Sequence, residues 1–229
     1  MIGTILRLST AALATLLASC GGDGSSTQEP TTYPLRQAYD KLLQDGETGT
    51  FAISGSCIGT ASLKDDPEVS TTYEGLPALG IPKYSTFIYT NCSPQQSVTL
   101  GTNYYTLDHR LLAVTTTTSS AISVVAPTEE QLPVAVKVGD LFVRGRATTY
   151  SDSTRAKILG QIGRRLTIEP DTTSTVLVNF ISETFGADGV LSLTVQSKYR
   201  MNAAGSLTKI SIEYQVQDAL RTHLLLVRL

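Results

Sequence analysis

The sequence predicts a mainly β fold, an antiparallel meander forming a curved sheet or sandwich, with one short helix near its N-terminal side. Three observations predict it. From residue 50 onward apolar and polar residues alternate in short runs, the period of strands with one buried face. The connectors between the later runs are a few residues long, and links that short can join only antiparallel neighbours. Thr, Ser and Tyr are abundant while Trp is absent, a composition that suits pleated, half-exposed surface.

The first twenty residues have the three parts of an export signal. Arg7 and the terminal amine form a short charged region, and Leu8 to Leu17 is apolar except for Ser9, Thr10 and Thr15. The small residues Ala18 and Ser19 then precede Cys20. The run is too short and too polar to span a bilayer, which needs about 20 predominantly apolar residues. Gly21-Gly22-Asp23-Gly24-Ser25-Ser26 follows and reads as flexible linker. Leu17-Ala18-Ser19-Cys20 resembles the lipobox of bacterial lipoproteins, where a cysteine receives a diacylglyceryl group and the chain is cut just before it. The resemblance implies a signal peptide over 1–19, lipidation at Cys20 and a lipid anchor in the membrane. Gly21, rather than Asp, after the lipidated cysteine implies the outer membrane, with the protein facing the periplasm or the cell surface. One acyl chain binds a bilayer only marginally, at roughly 0.8 kcal/mol per buried methylene. The several chains of such lipoproteins would make the attachment stable.

Removing residues 1–19 leaves 210 of the 229 residues, enough for one good core or two small ones. The formal net charge is −2 and no basic run is present, so the chain lacks the electrostatic footprint of a nucleic-acid binder. With Cys20 assigned to lipid, Cys57 and Cys92 remain of the three cysteines. Export to an oxidising compartment makes a disulfide between them the expected state. No Cys-x-x-Cys is present and neither cysteine has a basic sequence neighbour, which argues against redox chemistry. Two cysteines with only His109 and His223 to assist are too few for a zinc site. No cofactor and no metal are expected.

Residues 20–32 form a polar tether. Tyr33-Pro34 opens a helix, with proline at an early position where its missing N–H costs nothing. Leu35, Tyr39, Leu42 and Leu43 make one apolar stripe, and Gly46 is a stop. Mixed charge from Arg36, Asp40, Lys41 and Asp45 favours packing on the following sheet over a lipid-surface role. Phe51, Ile53, Gly55 and Cys57 alternate as a strand that runs on toward Leu63. Lys64 to Pro82 reads as loop, and Tyr84 to Asn91 as strand. Val98–Leu100, Tyr104-Tyr105, Leu111–Val114 and Ala121–Val125 are short strand candidates. Pro127 to Pro133 is a connector with Glu129-Glu130 exposed, and a candidate boundary between subdomains 33–130 and 131–229 within the β-rich domain 33–229. Beyond it come runs at Leu141–Ala147, Ile158–Ile168, Val176–Ile181, Leu191–Val195, Leu207–Tyr214 and Leu224–Val227. Glu169-Pro170-Asp171, Gly186-Ala187-Asp188-Gly189 and Asn202-Ala203-Ala204-Gly205 separate several of these runs as turns.

Ala38-Tyr39 with Leu42-Leu43, Ser54-Gly55-Ser56-Cys57, Asn91-Cys92, Val138-Gly139-Asp140 and Tyr150-Ser151-Asp152-Ser153-Thr154 together resemble uncharacterised lipoproteins of Gram-negative bacteria. That resemblance supports the architecture and the Cys57–Cys92 bridge, and implies no activity.

No residue set makes a catalytic site. Asp108-His109 is the nearest to one, but adjacent residues on an extended chain point to opposite faces and no nucleophile elbow accompanies them. His223 reads as a half-exposed strand residue, and Tyr150, Asp152, Ser153 and Arg155 as a turn. Asp65-Asp66 lacks calcium-loop spacing. Arg144, Arg146, Arg164 and Arg165 could form a basic face on the solvent side of the sheet. The expectation is therefore no enzyme, but a structural or interaction module with an envelope protein as partner. The alternative is a half-barrel carrier of an apolar ligand, closed on one side by the helix. A large, dry, apolar cavity beneath the helix would favour the carrier, and a packed core would favour the module.

Overall fold

The computed structural model describes residues 31–116, 121–125, 129–217 and 221–229. The expected signal peptide over 1–19, the expected lipidation site Cys20 and residues 21–30 of the expected tether lie outside the described residues. Helix α1 (Leu35–Asp45) is followed by β1 (Glu47–Gly55), β2 (Gly59–Asp65), β3 (Val69–Tyr73), β4 (Leu76–Tyr89), β5 (Gln96–Tyr105) and β6 (Leu111–Thr116). Then come β7 (Ile122–Val125), β8 (Leu141–Tyr150), β9 (Ile158–Pro170), β10 (Thr175–Gly186), β11 (Leu191–Asn202), β12 (Leu207–Val216) and β13 (His223–Arg228). Mainly β, antiparallel throughout and with one short N-terminal helix, the chain has the expected composition of elements.

The sheet closes on itself, which corrects the expected curved sheet or sandwich. From β4 to β13 each strand pairs antiparallel with the next. β13 then pairs with β1, Phe51 opposite Arg228 and Gly55 opposite Leu224. β1 pairs with β2, and β2 with β4, Gly59 opposite Tyr89 and Asp65 opposite Lys83. The ring therefore has twelve strands, and β3 lies outside it, prolonging the line of β2 along the start of β4. Closure gives every ring strand two neighbours and leaves the ring without an open edge, β3 alone among the described strands pairing on one side only. Alternation cannot distinguish this from an open sheet, because a barrel wall has the same buried and exposed faces.

The 64–82 stretch, read as loop, instead contains β3 and half of β4. Pro82 is tolerated there because of where it sits. Its carbonyl accepts the Asp66 N–H at 2.9 Å, so its nitrogen faces the same side, into the break between β3 and β2. No ladder bond needs a donor at that point.

Helix α1 sits inside the mouth of the barrel rather than on a sheet face. Leu35 and Ala38 pack with Leu166, Ile168, Val176, Val178, Met201 and Leu207 of β9 to β12. Leu43 packs with Ile81, Tyr105, Leu111, Val125 and Ala147 of β4 to β8. Strands so far apart around the ring can touch one helix only from within it. Gln37, Lys41 and Gln44 remain exposed, so the helix is a stopper with one wet face. Gly46 ends it with φ +71° and an N–H bond to the Leu42 carbonyl; a Cβ there would meet the Asp65 carbonyl oxygen at 2.6 Å. The segment 129–136 completes the plug. Tyr33 and Val136 exchange backbone hydrogen bonds at 2.8 and 3.0 Å, and Arg36 Nε donates to the Leu132 carbonyl at 2.7 Å.

At the other end of β1, Cys57 and Cys92 form the expected disulfide, with Cα atoms 5.7 Å apart. It ties the turn after β1 to the end of β4, two strands that are both neighbours of β2. In the chain-entropy picture a loop of this size contributes about 3–4 kcal/mol.

Leu35 is fully buried in the plug, so Leu35→Ala should cost about 2–5 kcal/mol through the cavity it leaves. Lys41→Ala, on the wet face, should stay within about 0.5 kcal/mol. Urea unfolding of the two variants measures the difference.

Candidate functional site

The barrel interior beneath α1 is polar, and two ion-pair networks line it. In the first, Glu129 lies between Arg144 at 3.1 Å and Arg164 at 3.4 Å. The guanidinium carbon of Arg144 also stands 5.7 Å from the Tyr39 ring centre and 5.6 Å from that of Phe180, beside two rings that are themselves in contact at 5.6 Å, so that cation–π contacts join helix and wall. In the second, Glu47 pairs with Lys209 at 3.1 Å and Arg228 at 2.9 Å, and Asp65 with Lys83 at 2.6 Å and Lys209 at 3.6 Å.

Local structure puts these charges inside. On β9 the even residues Gly160, Ile162, Arg164, Leu166 and Ile168 oppose Gly186, Thr184, Ser182, Phe180 and Val178 of β10, and Leu166, Ile168 and Val178 belong to the core around the helix. Arg164 therefore faces inward, and Arg165 outward. On β8 the register shifts between Val143 and Gly145, where Gly145 has φ +120°. That bulge turns Arg144 inward and leaves Leu141 and Val143 exposed. The expected basic face of four arginines is thus split, with Arg144 and Arg164 in the lumen and Arg146 and Arg165 on the outer wall. Glu129, expected to be exposed, is 1% exposed.

Between the two networks lies a cavity of about 160 Å³, lined among others by Tyr39, Tyr105, Asn103, Arg144, Arg164, Ser182, Ser197, Tyr199 and Lys83. The Tyr39 and Tyr105 hydroxyls are 3.4 Å apart, and Asn103 Nδ2 donates to Tyr105 Oη at 3.3 Å. Burial raises the pKa of Tyr39, Tyr105 and Tyr199, which keeps all three phenols as hydrogen-bond donors. Burial alone would raise Asp65 too, but the charges and hydrogen bonds of Lys83 and Lys209 outweigh it and hold that carboxyl low. Lys209 moves the opposite way: burial disfavours its charge, yet the Tyr199 ring 5.3 Å away and the carboxylates of Asp65 and Glu47 favour it and raise its pKa.

The residues weighed as chemistry in the sequence fall elsewhere. Asp108 and His109 do not pair. Asp108 accepts from Thr106 and meets Arg110 at 2.9 Å. His109, with φ +59°, places its ring between Asp40 of the helix at 2.9 Å and Glu68 at 2.7 Å, outside the cavity lining. His223 is half-exposed and meets Glu213 at 2.8 Å. Asp152 accepts from Ser151 and Thr154 within a turn, while Arg155 reaches the Tyr73 hydroxyl at 3.0 Å. Among the described residues no cluster of three His, Cys, Asp or Glu side chains could hold a metal. A larger groove of about 490 Å³ lies on the outside of β8 to β10, with Arg146, Gln161 and Phe185 over several glycines. It brings together one charge and little else, so the lumen is the better candidate.

Glu129 is wedged between two arginines, and Glu129→Gln would leave both without a counter-charge at a cost of about 3 kcal/mol. Glu130→Gln, exposed next door, should change stability by less than about 0.5 kcal/mol; thermal unfolding compares them. Asp65 gives a pH signature. Its pKa is lower folded than unfolded, so its contribution is present above the unfolded value of about 3.9 and is lost as pH falls through the folded one. The wild type should lose stability below about pH 4 more steeply than Asp65→Asn in acid titrations of the unfolding midpoint.

Comparison with protein-family models, with curated proteins and with solved structures finds no match to this chain.

Proposed function

We propose that the protein is an envelope lipoprotein, held at the outer membrane by an acylated Cys20, whose barrel serves as a structural or interaction module. The observation that carries this reading is how the barrel uses its interior. Helix α1 and segment 129–136 fill one mouth, and ion pairs line the small polar cavity left beneath. What the protein offers to a partner is then its wall. On the outer face Tyr84 and Ile88 of β4 adjoin Val98 and Leu100 of β5, with exposures of 41, 51, 44 and 38%. Lys64 stands 5.4 Å from the Tyr84 ring centre at the border of this patch. An apolar centre with a polar rim is the anatomy of a protein–protein contact. The wall formed by β9 to β11 differs, carrying outward pairs such as Arg165–Glu183 at 2.9 Å and Lys198–Glu169 at 2.8 Å; charges there suit water rather than a lipid-facing band.

The carrier of an apolar ligand is the weaker reading. The space beneath the helix is about 160 Å³ and lined by arginines, serines and phenols, whereas pockets for drug-sized ligands run to roughly 300–1,000 Å³ and are mostly apolar.

Two measurements test the proposal. The mass of membrane-extracted protein should show a mature N-terminus at an acylated Cys20, and Cys20→Ala should leave the chain uncut and unacylated. An unacylated N-terminus at any other residue contradicts the anchor. A photo-crosslinker at position 84 or 98 in intact cells should capture one discrete envelope protein, with capture lost in Ile88→Glu, while a crosslinker at position 194 on the charged wall captures none. Equal capture at all three positions would refute the interaction face.

A further inference from the structure

Among the described residues, each luminal network holds one more cation than anion. Arg144 and Arg164 face Glu129 alone, and Lys83, Lys209 and Arg228 share Glu47 and Asp65. The remaining carboxylate on the cavity, Asp66, is neutralised by Lys64 at 2.7 Å. Excess positive charge focused in a low-dielectric, partly solvated interior attracts an anion.

Several observations place that anion. Arg144 and Arg164 of the first network and Lys83 of the second all line the same cavity. Arg144 has 7% of its side chain exposed, and its Nε finds no acceptor. Arg164 touches only one Glu129 oxygen, at a long 3.4 Å, which leaves other guanidinium donors unused. Ser182 and Ser197 present hydroxyls to the cavity that bond to no described side chain, and Tyr39 and Tyr199 add protonated phenols. Solvent reaches the site, since the Arg164 and Lys83 side chains are 24 and 37% exposed.

We propose that this cavity is a binding site for a small oxyanion, a phosphate, sulfate or carboxylate group. Guanidinium forks and converging hydroxyls match an acceptor with several oxygens better than a single-atom ion. The volume excludes a nucleotide or an extended amphiphile but accommodates one such group with a water or two. The ligand neutralises the excess charge, so it binds to the folded barrel and stabilises it. The site is independent of what the outer wall contacts.

Titration of the full-length protein with inorganic phosphate at low ionic strength, followed by calorimetry, tests the site. The wild type should bind saturably at one site. Arg164→Gln should weaken binding at least tenfold, while Arg146→Gln on the outer wall leaves it unchanged. Acetate and sulfate as competitors distinguish a planar from a tetrahedral preference, and displacement of phosphate by either supports the site. If Arg164→Gln does not fold by circular dichroism, the Ser182→Ala, Ser197→Ala double variant carries the test, with a severalfold loss expected. No saturable binding of any of the three anions would overturn the proposal, and so would wild-type affinity in Arg164→Gln or in the double serine variant.

Discussion

The constraint on which the rest depends is the size of a closed ring. Eight strands enclose an interior that side chains alone can fill, and the diameter grows with strand number. Twelve strands leave more room than inward side chains can occupy. The chain fills one mouth with its own backbone, bringing α1 and the segment 129–136 into the ring so that Leu35, Ala38 and Leu43 meet apolar residues from β4 through β12. The third apolar cluster, around Phe51, Ile53, Leu63, Ile212 and Leu226, covers the wall where the first and last strands join. The plug and the closure thus depend on each other. A helix of eleven residues has little stability alone in water, and the barrel mouth without it would expose its apolar lining.

Filling with helix and loop leaves the middle of the lumen polar, and electrostatics organises it. Glu129 comes from the plug, whereas Arg144 and Arg164 come from adjacent wall strands. Their contact ties the inserted segment to the barrel more specifically than apolar packing does. Glu47, Asp65 and Lys209 do the same for the seam, because Glu47 begins β1, Asp65 ends β2 and Lys209 lies on β12. Such pairs add little net stability against an apolar alternative, but removing one partner is expensive. They therefore act mainly to fix which strand lies beside which and where the plug stops.

Much of the fold was legible in the sequence, and the misses have physical causes. The helix from Leu35 to Asp45 followed from its apolar stripe and from Gly46. The run Ile158–Ile168 was legible as a strand, but the even positions that carry Leu166 and Ile168 into the core also carry Arg164, which a charged side chain's usual preference for solvent assigns to the opposite face. The disulfide followed from cysteine count and compartment. Closure was hidden, since β1 and β13 meet across the whole length of the chain and neither carries a local mark of its partner. The inward turn of Arg144 was hidden by a bulge, although Gly145 within a strand pattern is the signal such bulges leave. Glu129 was read as exposed because a Pro-bounded acidic pair normally is; only a ring large enough to admit a loop reverses that. The candidate site was missed for the same reason, being assembled from β2, β4, β5, β8, β9, β10, β11 and the helix with no sequence motif among them.

Hydrogen exchange of the α1 amides, read beside those of β9 to β11 in one native-state experiment, tests the central claim that helix and barrel are one cooperative body. Slow exchange of the hydrogen-bonded amides from Ala38 to Gly46 in the same class as the central strands, with the same dependence on denaturant, is what an internal plug predicts. Exchange of those amides orders of magnitude faster than a still-protected barrel would contradict it, and would make α1 a loosely docked appendage of a hollow ring.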